Sequence, residues 1–287
     1  MPSVPWREPE ERSTVQPHSL TARINNVVAA QQRPMRRIQR VVANTVVGQM
    51  IPSGVVKGGT GIKLRVGEWL SRFTPDFDLA RPAAVDVDSY IEELQEALAE
   101  GWSGFTGTVQ EMEGAHPDGV PEPYVMVPYR IRLAYRSRDW LSVTFELGRD
   151  EVGSTSHYER RVASDIVDLF ESLGLETPQP IPVMAIDHQV AQKLHACTSV
   201  GPRGGNDRAH DLVDLQILDQ EEDVDLAAIG VTARRLFASR RAQEWPPTVV
   251  AHQGWETLYA EAAEGLGVLP DVAAAVEWAN DLISRIP

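Results

Sequence analysis

The stretch VVKGGTGIKLRVGEWLSRFTPDFDLA, residues 55–80, decides how the rest of the chain is read. Val55-Val56 predicts a short buried strand that stops on Gly58-Gly59. TGIKLRVGEWLSR then predicts a helix, and PDFDLA a second strand with alternating faces. Glycines between a strand and a helix let backbone N–H groups approach a phosphate with no Cβ in the way, at the positive end of the helix dipole. Thr60 adds a hydroxyl at the helix start. By itself a Gly-Gly pair is an ordinary turn. Asp76-Phe77-Asp78 sharpens the reading, because carboxylates at i and i+2 of a strand share a face while Phe77 points into the core. Two acids so close repel and raise each other's pKa unless a cation sits between them. Magnesium suits that position, since it takes oxygen ligands and bridges substrate phosphates. Arg72 and Thr74, just upstream, add a charge and a hydroxyl.

Working outward, WLSVTFELGRDE places Glu146 between Phe145 and Leu147 on an otherwise apolar strand. A carboxylate buried there needs a partner. A metal shared with the two aspartates would serve, and so would an ion pair with Arg132, one strand back. Lys193, in AIDHQVAQKLHA, follows an apolar helix side of Ile186, Val190, Ala191 and Leu194. Its stem can pack while the ammonium reaches a triphosphate. Arg65, on the helix after Gly-Gly-Thr, is a second candidate for the same contact. Asp211 and Asp214, in DRAHDLVDL, share a helix face at i, i+3, and spacing alone makes them surface residues.

The remaining pattern sets an α+β architecture with a mixed sheet. Residues 1–18 read as a flexible arm. SLTARINNVVAAQQ and RRIQRVVANTVVGQMI have helical spacing and are split by Pro34, and DVDSYIEELQEALAEG is a helix with an Asp start and a Gly stop. Thr106 to Arg149 turns to strands, SHYERRVASDIVDLFESLG returns to helix, and IPVMAI is a short strand. DHQVAQKLHACTSV is an Asp-started helix, and helices follow to the end. The expected division is a mixed-sheet domain over 19–180 and a helical C-terminal domain over 181–287.

Composition is that of a globular chain: 287 residues, 43% hydrophobic and 24% charged. No apolar run approaches the roughly 18–20 residues that span a bilayer, and the polar, Pro-rich N-terminus reads as neither signal peptide nor anchor, so a cytoplasmic location is expected. The single Cys197 excludes an internal disulfide and a Cys-based zinc site. A net charge of −14 opposes nucleic-acid binding, but its distribution does not. Residues 21–81 hold ten Lys/Arg against three acids, leaving −20 on the residues after them. The RPMRRIQR stretch, 33–40, is either a solvated helix face or a surface for polyphosphate.

GGTGIKLR, SRFTPDFDL, the carboxylate strand, the KLHA helix and the RAHDLVDL helix together resemble the AbiEii/AbiGii nucleotidyltransferase toxins, which include the mycobacterial MenT toxins. The motifs run in family order from Gly58 to Leu215. The resemblance implies a DNA polymerase β-like nucleotidyltransferase core followed by a helical C-terminal domain. It implies metal ligation by Asp76 and Asp78, phosphate contact by Gly58, Gly59 and Thr60, and active-site roles for Lys193 and Asp211. Thr74 stands where the family usually has Ser, and Gly61 where it usually has Ala. Neither departure removes a charged group. Some members are modified at that serine by their partner, which leaves the same question for Thr74.

The expected function is therefore a toxin of a toxin–antitoxin or phage-defence pair that transfers NMP from an NTP. The cofactor is Mg²⁺, with Mn²⁺ as an alternative, and Glu146 is the third metal ligand. The resemblance favours an RNA acceptor, a tRNA 3′ end first, and implies a cognate antitoxin. Two rivals remain open: transfer to a small molecule or protein, and an NTP-binding regulator that does no transfer.

Overall fold

The computed structural model describes residues 19–112, 127–200 and 204–287. The expected arm at 1–18, the turn HPDGVPEP and Arg203 lie outside the described residues. Seven strands, counted among the described residues, make one mixed sheet: β1 (Val55–Lys57), β2 (Asp76–Arg81), β3 (Phe105–Glu111), β4 (Val127–Tyr135), β5 (Arg138–Arg149), β6 (Tyr158–Arg161) and β7 (Ile181–Met184). Their order is β3-β4-β5-β2-β1-β7-β6. β2 runs parallel to β5 and antiparallel to β1, and β1 runs parallel to β7. β4 and β5 form a hairpin whose two turn residues, Arg136 and Ser137, have φ of 49° and 62°, the left-handed pair that matches strand twist.

Two large apolar cores organise the described residues, the first of them against the sheet. The first packs α1 (Leu20–Gln31), α2 (Met35–Gln49), α4 (Val87–Glu100) and α5 (Ser164–Ser172) onto strand residues, with Ile38, Val42, Tyr90, Leu94 and Phe170 meeting Phe77, Ile131 and Phe145. Phe77 does point inward, its ring 6.0 Å from that of Phe145. The neighbours of Phe77 along the strand therefore face the other way. The second core gathers α6 (Ile186–Thr198), α7 (His210–Glu221), α8 (Leu226–Arg240), α9 (Trp255–Ala263) and α10 (Val272–Arg285) around Leu194, Leu212, Leu215, Trp255 and Ala279. Ile62, on α3 (Gly58–Val66), joins that second core while Leu64 joins the first. The helix after the Gly-Gly turn is thus a wedge between the two.

Four boundaries differ from the sequence reading. SHYERRV is not helical: Tyr158–Arg161 pairs with β7 at the sheet edge, and the helix starts only at Ser164. A short strand of alternating exposed charges has no periodicity of its own, and its partner decides it. α3 stops at Val66, because Gly67 takes φ 104°, so Glu68–Leu70 leave the helix. Asp187 does not cap α6; the cap position is Ala185, and Asp187 accepts a 2.5 Å hydrogen bond from the Thr232 hydroxyl of α8. The sheet also takes in β7, beyond the boundary expected near residue 180.

The helical half carries an acid-sensitive contact. His195, buried on α6, lies 3.1 Å from Arg240 Nη1 through its Nδ1, and its Nε2 is enclosed without a partner. Burial and the Arg240 charge push its pKa down to about 4. The unfolded chain takes up that proton near pH 6.5 while the folded chain refuses it, so stability rises with pH between about 4 and 6.5. One such site contributes at most about 1.4 kcal/mol per pH unit. Thermal unfolding should therefore show Tm falling as pH is lowered through this window, and His195→Gln should fall less steeply. Equal slopes for the two chains would mean that His195 is not the responsible group.

Candidate active site

Strand register assembles the site. Lys57 of β1 stands opposite Asp78 of β2, and Asp78 stands opposite Glu146 of β5. Residues directly paired across a sheet project from the same face, so the three side chains form a row across β1, β2 and β5. Asp76, two residues before Asp78, joins that face beside Thr144. The sheet thus brings together the two predicted aspartates and the predicted third acid. Arg132 does not reach Glu146: it pairs in register with Ser142, and Pro128 holds the position opposite Glu146 on β4.

The Gly-Gly turn lies directly against this row. Gly58 has φ 60°, and a Cβ there would fall 2.0 Å from Asp78 Oδ2, inside the carboxylate. No side chain fits that position. A Cβ on Gly59 would come within 2.9 Å of the Thr74 side chain, so the loop carrying Thr74 packs onto the turn. α3 begins at Gly58 itself, and its first N–H groups have no intrahelical partners. The Thr60 hydroxyl has another task than the one expected: it donates to the Asp76 carbonyl at 2.7 Å and accepts from Asn44 Nδ2 at 3.0 Å. It ties the aspartate strand to the turn.

The acids act on one another. Burial, then Asp78 and Asp76, push the Glu146 carboxyl up to about 7. Burial and Asp78 raise Asp76 as well, against the pull of Arg40 and Arg72. Among the described residues, no three or more His, Cys, Asp or Glu side chains are drawn together closely enough to hold a metal ion by themselves. The row is open, on adjacent strands, and Asp78 and Glu146 are close enough to share a hydrogen bond. An all-oxygen donor set whose members resist ionising together, beside a turn where a Cβ is excluded, fits a hard divalent cation.

Lys193 and Asp211, given active-site roles by the resemblance, belong to a buried charge network that reaches Arg72. Lys193 Nζ is 2.8 Å from Asp211 and 2.6 Å from Asp214, and all three side chains are buried. Arg208 closes on Asp211 at 2.7 Å and Arg72 on Asp214 at 2.9 Å. The result is an alternating chain, Arg208–Asp211–Lys193–Asp214–Arg72, that runs from α7 to the loop before β2. Burial pushes the Asp211 carboxyl up, but Lys193 and Arg208 pull it further, to well below the ordinary range. The ammonium expected on a triphosphate is spent on two carboxylates. Arg65 is also committed: it donates to Glu159 and to the Met184 carbonyl, each at 3.0 Å, and joins α3 to β6 and β7. Thr74, like Thr60, is buried.

The basic stretch before the turn is divided. Arg37 is held by Glu68 and by the carbonyls of Glu68 and Ser71. Arg36 lies over the Phe73 ring at 4.8 Å. Arg40 donates to the Ser142 carbonyl at 3.0 Å and is attracted to Asp76. Arg40, Asn44 and Lys57 border the carboxylate row; Arg40 belongs to the basic stretch read from the sequence, while Asn44 and Lys57 were given no site role there. One signal was present for Lys57, a charged residue ending an apolar strand immediately before two glycines.

The charge chain makes Lys193 a residue on which stability depends. Removing the shared cation leaves Asp211 and Asp214 buried and under-compensated, which costs about 3–5 kcal/mol. Urea unfolding should show a lowered midpoint for Lys193→Ala. A midpoint equal to the wild type would mean that the two aspartates relax to other partners.

Comparison with known proteins agrees with this geometry. The family model described as "Nucleotidyl transferase AbiEii toxin, Type IV TA system" matches residues 48–281. Among solved structures, MenT4, a nucleotidyltransferase toxin from Mycobacterium tuberculosis H37Rv, is similar at TM-score 0.53 and 19% identity, covering 92% of this chain and 98% of that one. JHP933 from Helicobacter pylori gives a TM-score of 0.44 at 15% identity, covering 86% of this chain and 88% of its own. Among curated proteins, none matches the chain by sequence. With the match running from α2 through the carboxylate strands into α10, the chain belongs to the AbiEii family of nucleotidyl transferase toxins of type IV toxin–antitoxin systems.

Proposed function

We propose that the protein transfers NMP from an NTP to an RNA acceptor, with a tRNA 3′ end as the favoured substrate, in a divalent-metal-dependent reaction. The observation that carries this reading is the row of Asp76, Asp78 and Glu146 abutting the Gly58-Gly59 turn. Asp76 and Asp78, with Glu146 beside them, would hold Mg²⁺ or Mn²⁺. When bound, such a cation neutralises phosphate charge and lowers the pKa of the attacking hydroxyl. The chain's own groups bind and orient. The N–H groups of Gly58 and Gly59 meet phosphate oxygens at the start of α3. Thr60 and Asn44 fix the Asp76 backbone, and Phe77 anchors the strand from below. Arg72, held by Asp214, keeps the loop before β2 in place. Glu146, its carboxyl pushed up to about 7 by burial and the two aspartates, is suited to hold a proton until the substrate's charges arrive.

The two cores, with α3 between them, support a nucleotidyltransferase unit through Met184 and a helical unit from Ile186. The family's type IV toxin–antitoxin assignment supports a cognate antitoxin as partner. No helix among the described residues is long and apolar enough to cross a membrane, and action in the cytoplasm goes with an RNA substrate.

Incubating the protein with total RNA, magnesium and each α-labelled NTP should label RNA with at least one nucleotide. Asp78→Ala should abolish labelling while keeping or raising Tm, because it removes a carboxylate that repels its neighbours. Labelled protein or small molecules with unlabelled RNA would select the rival acceptors, and binding without turnover would select a regulator.

Arg36 and Arg40 close no salt bridge among the described residues, whereas Arg37 holds Glu68, and these two are the cations next to the row proposed to meet the acceptor backbone. Replacing Arg36 and Arg40 together by Ala should weaken RNA binding and flatten its log–log salt dependence by roughly 0.7 per lost contact on a single strand. An unchanged salt slope would move the RNA path away from α2.

A further inference from the structure

The nucleotidyltransferase reading needs cations for the triphosphate, and the two assigned from sequence are occupied. Lys193 is closed between Asp211 and Asp214, and Arg65 between Glu159 and the Met184 carbonyl. Arg72 is bound to Asp214 and Arg208 to Asp211. Lys57 differs from all four. It stands in the carboxylate row opposite Asp78, one residue before the Gly-Gly turn. It is felt by Glu146 and Glu151 without closing an ion pair with either among the described residues. Glu151 already has a bidentate partner in Arg240 and a further hydrogen bond from Gln192.

The seat of this ammonium is defined by a glycine. Gly148 lies two residues beyond Glu146 on the same strand face, and a Cβ there would come within 2.9 Å of Lys57 Nζ and 3.5 Å of its Cε. The lysine therefore reaches across β2 and rests over β5 where the side chain is missing. It is half-buried at the end of an apolar strand, at the cap position of α3, whose first backbone N–H groups have no intrahelical partners. We propose that Lys57, seated over Gly148, is the lysine that binds the phosphates of the nucleotide substrate. This rests on the nucleotidyl-transfer reading but assigns the contact to a residue outside the Lys193 charge chain.

The test uses the full chain with inorganic tripolyphosphate, which carries the phosphate charges without a base, and with each NTP, in magnesium, by equilibrium dialysis. Lys57→Ala should weaken tripolyphosphate and NTP binding by about 10- to 100-fold, the loss expected for one charge-assisted contact. Lys57→Arg should restore most of it. Gly148→Ala keeps the charge but fills its seat, and the movable lysine end lets the fold survive; it should weaken binding by a smaller factor. In transfer assays the loss should appear as a raised KM for NTP. Tripolyphosphate affinity unchanged in Lys57→Ala, or a fall in kcat alone with KM intact, would overturn the proposal. Lys57-dependent tripolyphosphate binding by a protein that labels no RNA would keep the proposal and reject the RNA reading. Transfer with an unchanged KM in Lys57→Ala would do the reverse.

Discussion

The parallel pairing of β2 with β5 is the constraint on which the rest depends. Its register sets Asp76 beside Thr144 and Asp78 beside Glu146, and puts Phe77 against Phe145 on the opposite face. A slip of one residue would exchange the two faces, burying the acids in the first core and exposing the phenylalanine rings. The apolar side thus fixes the polar side: the stacked rings hold the carboxylates in a row they would otherwise leave. β1 completes the arrangement from the other edge, and the Gly58 backbone, pressed onto Asp78, can make its turn only without a side chain.

A second constraint joins the two cores. Five alternating charges, Arg208, Asp211, Lys193, Asp214 and Arg72, cross the interior between α7 and the loop before β2. Taking such groups from water is costly, and the chain is tolerable only because each carboxylate meets two cations and Lys193 meets two carboxylates. Apolar residues of the same volume would cement the halves without selecting an orientation. An alternating chain admits one order of partners, so it holds the helical unit at a defined position relative to Asp76. Lys193 and Asp211 thereby fix where Arg72 stands before the aspartate strand.

These two constraints explain what was legible beforehand. Asp76 and Asp78 were readable because a strand of period two shows its shared face in the sequence, and Glu146 because an acid between Phe145 and Leu147 is conspicuous. The AbiEii family and the mixed α+β fold followed from ordered motifs. The roles of Lys193 and Arg65 did not, because their partners lie in other elements: Asp214 is far along the chain from Arg72, and Glu159 from Arg65. A helical face with a lysine looks the same whether it meets a phosphate or two aspartates. β6 was misread for a similar reason, since only β7 distinguishes its charged alternation from the start of a helix. The Thr60 hydroxyl also holds the Asp76 carbonyl, a clamp between the turn and the aspartate strand that spacing could not show.

The charge asymmetry also changes meaning. The excess of cations in residues 21–81 looked like a surface for a polyanion. Arg23 is bound to the Leu173 and Gly174 carbonyls and to Tyr135, Arg37 and Lys63 to Glu68, Arg65 to Glu159, Arg72 to Asp214, and Arg81 to the Val85 carbonyl. Most of that positive charge is consumed inside the fold. What remains beside the carboxylate row is Arg36, Arg40 and Lys57, set in a chain of net charge −14. A polyanion approaching such a surface is repelled at long range and attracted only within about a Debye length of the row. Under the proposed function, affinity for phosphate would be concentrated at the site, and the acidic remainder would work against loosely held nucleic acid. A strand end that can reach the row gains the few available cations, whereas a long backbone lying across the surface does not.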